Sequence, residues 1–515
     1  MSLPSLQHRP ARTRVLCLIG AAALGLTGCG ADSPTATVGT STARGTLIED
    51  PPFRIASLDA ASFAANLGAN PAGAQLLEVT GAPTCGVDFY YIQYNTVGGA
   101  GEATTASGAL MVPTGSAPQC SGGRPIVLYA HGTNANKALN IADITNQSNT
   151  EGALIAAMFA AQGYIVVAPN YAGYDTSKLT YHPFLNADQQ SKDMIDALTA
   201  ARTALPQTLT TQTTDNGKLF ITGYSEGGHV AMATHRAMQA LKMPVTASAP
   251  MSGPYALEAL VDAVFYGQVN IGSTEFTPLV VTSYQKAYGN IYSALTDVYA
   301  QPYAPNMADI LPSTTPLATL YANGSLPETA LFSSTTPVTG DPTLDAALAV
   351  PSNPIFAVGF GTANLLTNDY RLAYVLDAVA NPDGAVPTLT PGVAQAANPQ
   401  NPLRIAVKMN DLRNWTPQAP VLMCGGDQDP TVYFSVDALV MQQYWAALPP
   451  GLITVVDINA PVTSASDPFA AAKVGYQTTI ANIAATDGAS AEVAAIHTTE
   501  APFCTAVARG FFAQF

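Results

Sequence analysis

The pentapeptide Gly223-Tyr224-Ser225-Glu226-Gly227 fits the pattern G-x-S-x-G. Such a pattern can build a sharp turn that lifts a serine hydroxyl above a sheet, with small residues at its ends so that strand and helix pass closely. On its own the pattern is weak, because Gly and Ser are common in loops. Its flanks strengthen it: residues 218–222 are apolar and strand-like, and residues 228–241 have helical spacing. Ser225 is therefore the candidate nucleophile. A serine hydroxyl near neutral pH needs a base, and the base needs a carboxylate to orient it. The chain has six histidines: His8, His131, His182, His229, His235 and His497. With the chain order serine, acid, histidine, only His497 lies far enough beyond Ser225, so elimination makes it the base. The acid is expected just past the apolar run 419–424, where Asp427 and Asp429 stand close together. Asp429 is preferred; Asp427, the alternative, then becomes a turn-former bonding its own backbone.

Acyl transfer also needs donors for a developing oxyanion. The backbone N–H of Glu226, directly after the nucleophile, is one. The other is expected from His131-Gly132-Thr133, at the Thr133 amide with Asn134 as fallback. His131 is expected to brace that loop, and His229 and His235 to be structural. His182 is read as either a pocket wall or a brace.

These residues need a scaffold. Residues 89–94 and 106–112 read as the first two strands of a sheet. Then a strand–helix rhythm begins: strands at 125–130, 164–169, 218–222 and 245–251, with helices at 152–162, 191–205 and 228–241. Continuous apolar runs of this kind suit strands buried on both faces, and the alternation predicts a mostly parallel sheet flanked by helices, an α/β fold. The rhythm breaks over residues 257–405, too long a stretch for a loop, and resumes with strands at 419–424 and 452–458. The expected organisation is a core of residues 51–256 and 406–515 with a mainly helical cap inserted at 257–405.

Composition narrows the function classes. Of 515 residues, 48% are hydrophobic and 11% charged, which excludes a disordered acidic chain. The net charge of −15 with only 20 Lys and Arg argues against nucleic-acid partners. Arg9, Arg12 and Arg14 precede an apolar run at 15–26, too short to span a membrane and suited to a signal peptide. The run ends in Leu26-Thr27-Gly28-Cys29, which looks like a bacterial lipobox; Cys29 would be lipid-modified and anchor the chain to the cell envelope. An ordinary cleaved signal peptide is the alternative. Residues 29–50 read as a flexible tether. Of the remaining cysteines, Cys85, Cys120, Cys424 and Cys504 allow three pairings in an exported chain, of which Cys85–Cys120 and Cys424–Cys504 are expected. No metal or phosphate-loop motif occurs, and no cofactor is implied.

With these residues placed, the chain resembles the bacterial branch of the secretory lipase family of α/β-hydrolases. The resemblance spans roughly residues 85–510. It rests on His131-Gly132-Thr133, on Val167-Ala168-Pro169-Asn170-Tyr171 with Gly173, and on His182-Pro183-Phe184-Leu185 leading into Asp196-Ala197-Leu198. It continues through the Ser225 turn with Gly228-His229, Asn410-Asp411-Leu412 with Trp415 and Pro417, and the Asp429 turn. The spacing G-x-x-D-x-x-V, frequent at the acid of this superfamily, is what favours Asp429. The resemblance implies a capped lipase or esterase, with the cap covering an acyl site; Phe265, Tyr266, Phe276, Phe356 and Phe360 are expected to supply its apolar surface. Two departures stand out: Asn170 replaces a more usual Asp, and the long interval from Asp429 to His497 suggests an extra segment near 460–490. Serine peptidase or amidase activity, or a non-catalytic lipid-binding surface lipoprotein, are the rival readings.

Overall fold

The buried apolar runs become the central strands. The computed structural model describes residues 43–146, 148–208 and 213–515. Among them a nine-stranded sheet is built from β1 (Phe53–Leu58), β2 (Gly86–Val97), β3 (Ala103–Thr114), β4 (Gly122–Ala130), β5 (Ile165–Pro169), β6 (Thr213–Tyr224), β7 (Ala247–Met251), β10 (Val421–Gly425) and β11 (Ile453–Asp457). A separate two-residue pair, β8 (Phe332–Ser333) with β9 (Phe360–Gly361), lies between β7 and β10 in sequence. The sheet order is β1-β2-β3-β5-β4-β6-β7-β10-β11. The first four are antiparallel neighbours and every pairing from β5 onward is parallel. This is the α/β-hydrolase fold. β5, β7 and β10 are buried along their whole length, as helices on both faces require.

Two expectations need correction at the N-terminal side. The runs at 89–94 and 106–112 are the middles of β2 and β3, not the first two strands; β1 precedes them. β1 is an edge strand with one neighbour and no fully buried side chain, so it carries no buried apolar run for a sequence reading to find. The expected tether also ends early. Leu47 bridges Tyr94, the Ile48 N–H donates to the Gln93 carbonyl, and Arg44 pairs with Asp196 at 2.9 Å. Residues 1–42, with the expected signal peptide and Cys29, lie outside the described residues.

Between β7 and β10 the chain leaves the sheet and forms helices, among them Leu257–Phe265, Ser273–Tyr288, Asn368–Ala380 and Pro402–Asn410. They share an apolar core of their own, into which Phe184 and Leu185 also pack. The expected boundary at 405/406 falls inside the helix Pro402–Asn410; the chain rejoins the sheet only at Val421. The reason is electrostatic. Arg404 on that helix is fully buried and bonds Asp262 at 2.7 Å and Asp377 at 3.1 Å, tying three helices together. A buried guanidinium persists only when paired in this way.

Two disulfides form, Cys85–Cys120 and Cys424–Cys504, the pairing expected. The second joins the end of β10 to the long helix Ala489–Phe512. The extra segment is a helix, Ala470–Asp487, which packs along that same helix. The two bridges fit an exported protein. Among the described residues, no helix is long and apolar enough to cross a membrane.

Candidate active site

Parallel pairing decides where the turns meet. β4 and β6 are neighbours with Ala130 opposite Gly223, so the His131 loop and the Ser225 turn leave the same sheet edge side by side. Ser225 has φ 59° and ψ −122°, a strained backbone for a residue with a Cβ. Its N–H donates to the Met251 carbonyl at 3.0 Å, and its own carbonyl accepts from Gly228 at 2.8 Å. The glycines are a packing requirement. A Cβ on Gly227 would stand 2.0 Å from the Ala130 carbonyl oxygen, and one on Gly228 2.4 Å from that of Met251.

His497 Nε2 lies 2.9 Å from Ser225 Oγ, and His497 Nδ1 lies 2.6 Å from Asp429 Oδ2. The structure thus brings the three sequence-predicted side chains together, from three distant parts of the chain. His497 sits inside the last helix, Ala489–Phe512. Pro502 interrupts the same helix, Ala489–Phe512, and cannot donate to the carbonyl four residues back. Buried Tyr224 donates its hydroxyl to the His497 carbonyl, fixing the height of the imidazole. The turn role expected of Asp427 belongs to Asp429: its Oδ1 accepts from the Thr431 and Val432 N–H groups at 2.8 and 3.2 Å, leaving Oδ2 for the histidine. Asp427 is exposed, and its N–H bonds Asp457.

The loop at 131–134 is held on every side. His131 stacks on Tyr171, with ring centroids 4.0 Å apart, and its Nε2 faces the Asn170 carbonyl at 3.1 Å. Glu151, which sequence reasoning missed, accepts from Tyr129 Oη at 2.7 Å and from the Gly132 N–H at 3.0 Å. Thr133 and Glu226 both line the cavity at Ser225. The Glu226 side chain is buried behind the turn, where His182 Nε2 lies 2.7 Å from its Oε1 and Gln190 donates to the same oxygen at 2.6 Å. His182 is therefore a brace. His229 and His235 are braces too, bonded to the Asn410 carbonyl and the Ser248 hydroxyl; burial pushes both imidazoles down to about 4, so they stay neutral. Asn170 takes a structural part: it accepts from the Ile141 N–H and donates to Ser107.

A second carboxyl escaped the sequence reading. Glu500, one turn after His497, is fully buried and accepts from Ser252 Oγ at 2.8 Å. Burial first, and the Asp429 charge second, hold it well above the usual carboxylate range. The packing leaves it no spare room: a Cβ on Gly426 would stand 2.1 Å from Glu500 Oε1.

Two spaces meet at Ser225. One is a small apolar chamber of about 100 Å³ under the inserted helices. The other is an open cleft of about 1410 Å³ running toward the helices Ala470–Asp487 and Ala489–Phe512. Of the five aromatic residues expected at the acyl site, Phe265 and Phe276 line the chamber. Phe356 packs on Tyr433 and Phe360 on Phe332 instead, and Tyr266 lines neither space. Among the described residues, no group of three or more His, Cys, Asp or Glu is placed to hold a metal ion.

Comparison with known proteins agrees with this geometry. A sequence model described as the prolyl oligopeptidase family (Peptidase_S9) matches residues 152–252, the segment from β5 to β7 that carries Ser225. No curated protein sequence matches the chain. Among solved structures, the rice cell wall degrading esterase LipA from Xanthomonas oryzae is 27% identical, with a TM-score of 0.61 over 86% of this chain and 98% of its own. A putative hydrolase from Legionella pneumophila, 18% identical, shares the fold with a TM-score of 0.61, over 91% of this chain and 97% of its own. Sheet topology, the serine turn at its parallel edge and these likenesses together make the chain a hydrolase of the α/β-hydrolase superfamily.

Proposed function

We propose that the chain is a carboxylic ester hydrolase working through an acyl-enzyme on Ser225. His497 takes the serine proton as the hydroxyl attacks the ester carbonyl, and returns it to the leaving alcohol. Asp429 holds Nδ1–H and so keeps Nε2 free to accept. The Glu226 and Thr133 backbone amides receive the oxyanion. Water then repeats the sequence and releases the acid. The observation that carries this reading is the continuous relay of 2.9 and 2.6 Å from Ser225 through His497 to Asp429, opening beside an apolar chamber.

Ester chemistry is favoured over peptide chemistry because the likeness to the named esterase extends over most of the chain, whereas the peptidase-family match is confined to the segment around the turn. That match keeps peptide hydrolysis as the second reading. A fluorophosphonate probe should label the wild type and spare Ser225→Ala. A panel of p-nitrophenyl esters run beside peptide p-nitroanilides should then show ester turnover alone; faster anilide cleavage would replace the ester reading with the peptidase one. We also read the chain as anchored through Cys29, and metabolic labelling with a fatty acid should be lost in Cys29→Ser.

A further inference from the structure

The two spaces at Ser225 differ in every property that matters to an ester, and they assign its two halves. The chamber is lined by Leu257, Leu260, Val261, Val264 and Phe265 of one inserted helix, and by Phe276 and Val280 of the next. Its volume, about 100 Å³, is below the ~150 Å³ apolar cavity that accepts a benzene ring. The cleft is more than ten times larger and carries polar groups along its length, among them Asn134, Thr150, Thr479, Asn482 and Thr498. Glu275, on the inserted helix Ser273–Tyr288, lines this cleft together with Ser225 and His497. Its side chain is half-buried and has no hydrogen-bond or ion-pair partner among the described residues. Its carboxyl group is thus open to accept from a hydroxyl of a bound alcohol.

We propose that the chamber takes the acyl half of the substrate and limits it to about four carbons, while the cleft takes a bulky alcohol bearing several hydroxyl groups, one of which bonds Glu275. This rests on the ester reading above and adds to it the substrate class. The chamber's surface is mainly apolar and its small volume suits a short acyl chain, whereas the larger cleft mixes polar with apolar groups and has room for a bulky alcohol. In the balanced reaction the acyl carbon moves from the alcohol oxygen to Ser225 Oγ and then to water, and the alcohol leaves into the cleft with the proton from His497.

The test uses the full chain and two substrate series. With p-nitrophenol as the common leaving group, kcat/KM should hold from acetate to butyrate and fall at least about tenfold by octanoate. With butyrate as the common acyl group, the glycerol and methyl glucoside monoesters should be cleaved faster than ethyl butyrate. Glu275→Gln should raise KM for the polyol esters more than for p-nitrophenyl butyrate, which lacks the polyol hydroxyls. Thr277→Phe, which narrows the chamber from a half-buried position, should retain acetate and lose butyrate. Because these variants could misfold, the wild type carries its own control: short-chain alkyl fluorophosphonates should label Ser225 faster than dodecyl ones. Equal rates across chain length, or no preference for polyol esters, would overturn the assignment while leaving the esterase reading intact. No turnover of any ester and no labelling would instead overturn the esterase reading.

Discussion

Removing the Cys424–Cys504 bridge should damage catalysis as well as stability, and the matching change at Cys85–Cys120 separates the two effects. Cys424 lies on β10, five residues before Asp429, and Cys504 lies seven residues after His497 on the helix Ala489–Phe512. The bridge therefore ties the strand just before Asp429 to the helix that carries His497. Its cysteines are 80 residues apart, and the entropy of closing such a loop in the unfolded chain corresponds to about 4.5 kcal/mol. The Cys85–Cys120 pair, 35 residues apart, gives about 3.8 kcal/mol by the same relation. Both double Cys→Ser variants should therefore melt lower by comparable amounts in calorimetry. Only the first loosens the relay, where a displacement of ~1 Å costs about 10²-fold in rate. Turnover of p-nitrophenyl butyrate, measured well below either melting point, should fall toward that extent in the Cys424→Ser/Cys504→Ser variant. It should stay near wild type in Cys85→Ser/Cys120→Ser. Equal activity losses in the two folded variants, or none in either, would refute the argument that this bridge positions the relay.

Gly227→Ala should give no folded protein in the soluble fraction, because its Cβ would meet the Ala130 carbonyl at 2.0 Å and neither strand nor helix can retreat; a soluble, active variant would contradict the packing. Arg404→Met should destabilise by ~3–5 kcal/mol in denaturant melts, since it leaves Asp262 and Asp377 buried without their cation. Glu275 is pushed up to about 7, by burial first and by the Glu226 charge second. The folded state thus holds this proton more tightly than the unfolded chain does. Its stabilising contribution is full below the ordinary carboxyl value and is lost as pH rises through about 7. Melting temperatures of Glu275→Gln should accordingly fall less than those of the wild type between about pH 5 and pH 8; parallel curves would refute it.

The local patterns in the chain carried the alternation of strands and helices, the serine turn and the choice of His497 by order. These are short-range or countable signals: apolar runs, two glycines around a serine, one histidine in the right interval. β1 escaped because an edge strand needs no continuous apolar run. The helical setting of His497 escaped because Pro502 inside the helix masks its pattern. Only the tertiary structure decided between Asp427 and Asp429, since two carboxylates two residues apart differ in what they face and not in what they are. It also revealed Glu151 bonded to the 131–134 loop, Glu500 bonded to Ser252 beneath Asp429 and Glu275 in the cleft. The physical reason is common to all of these. A side chain's role is set by its partners and its exposure to water, and both are supplied by segments tens to hundreds of residues away, which no local pattern encodes.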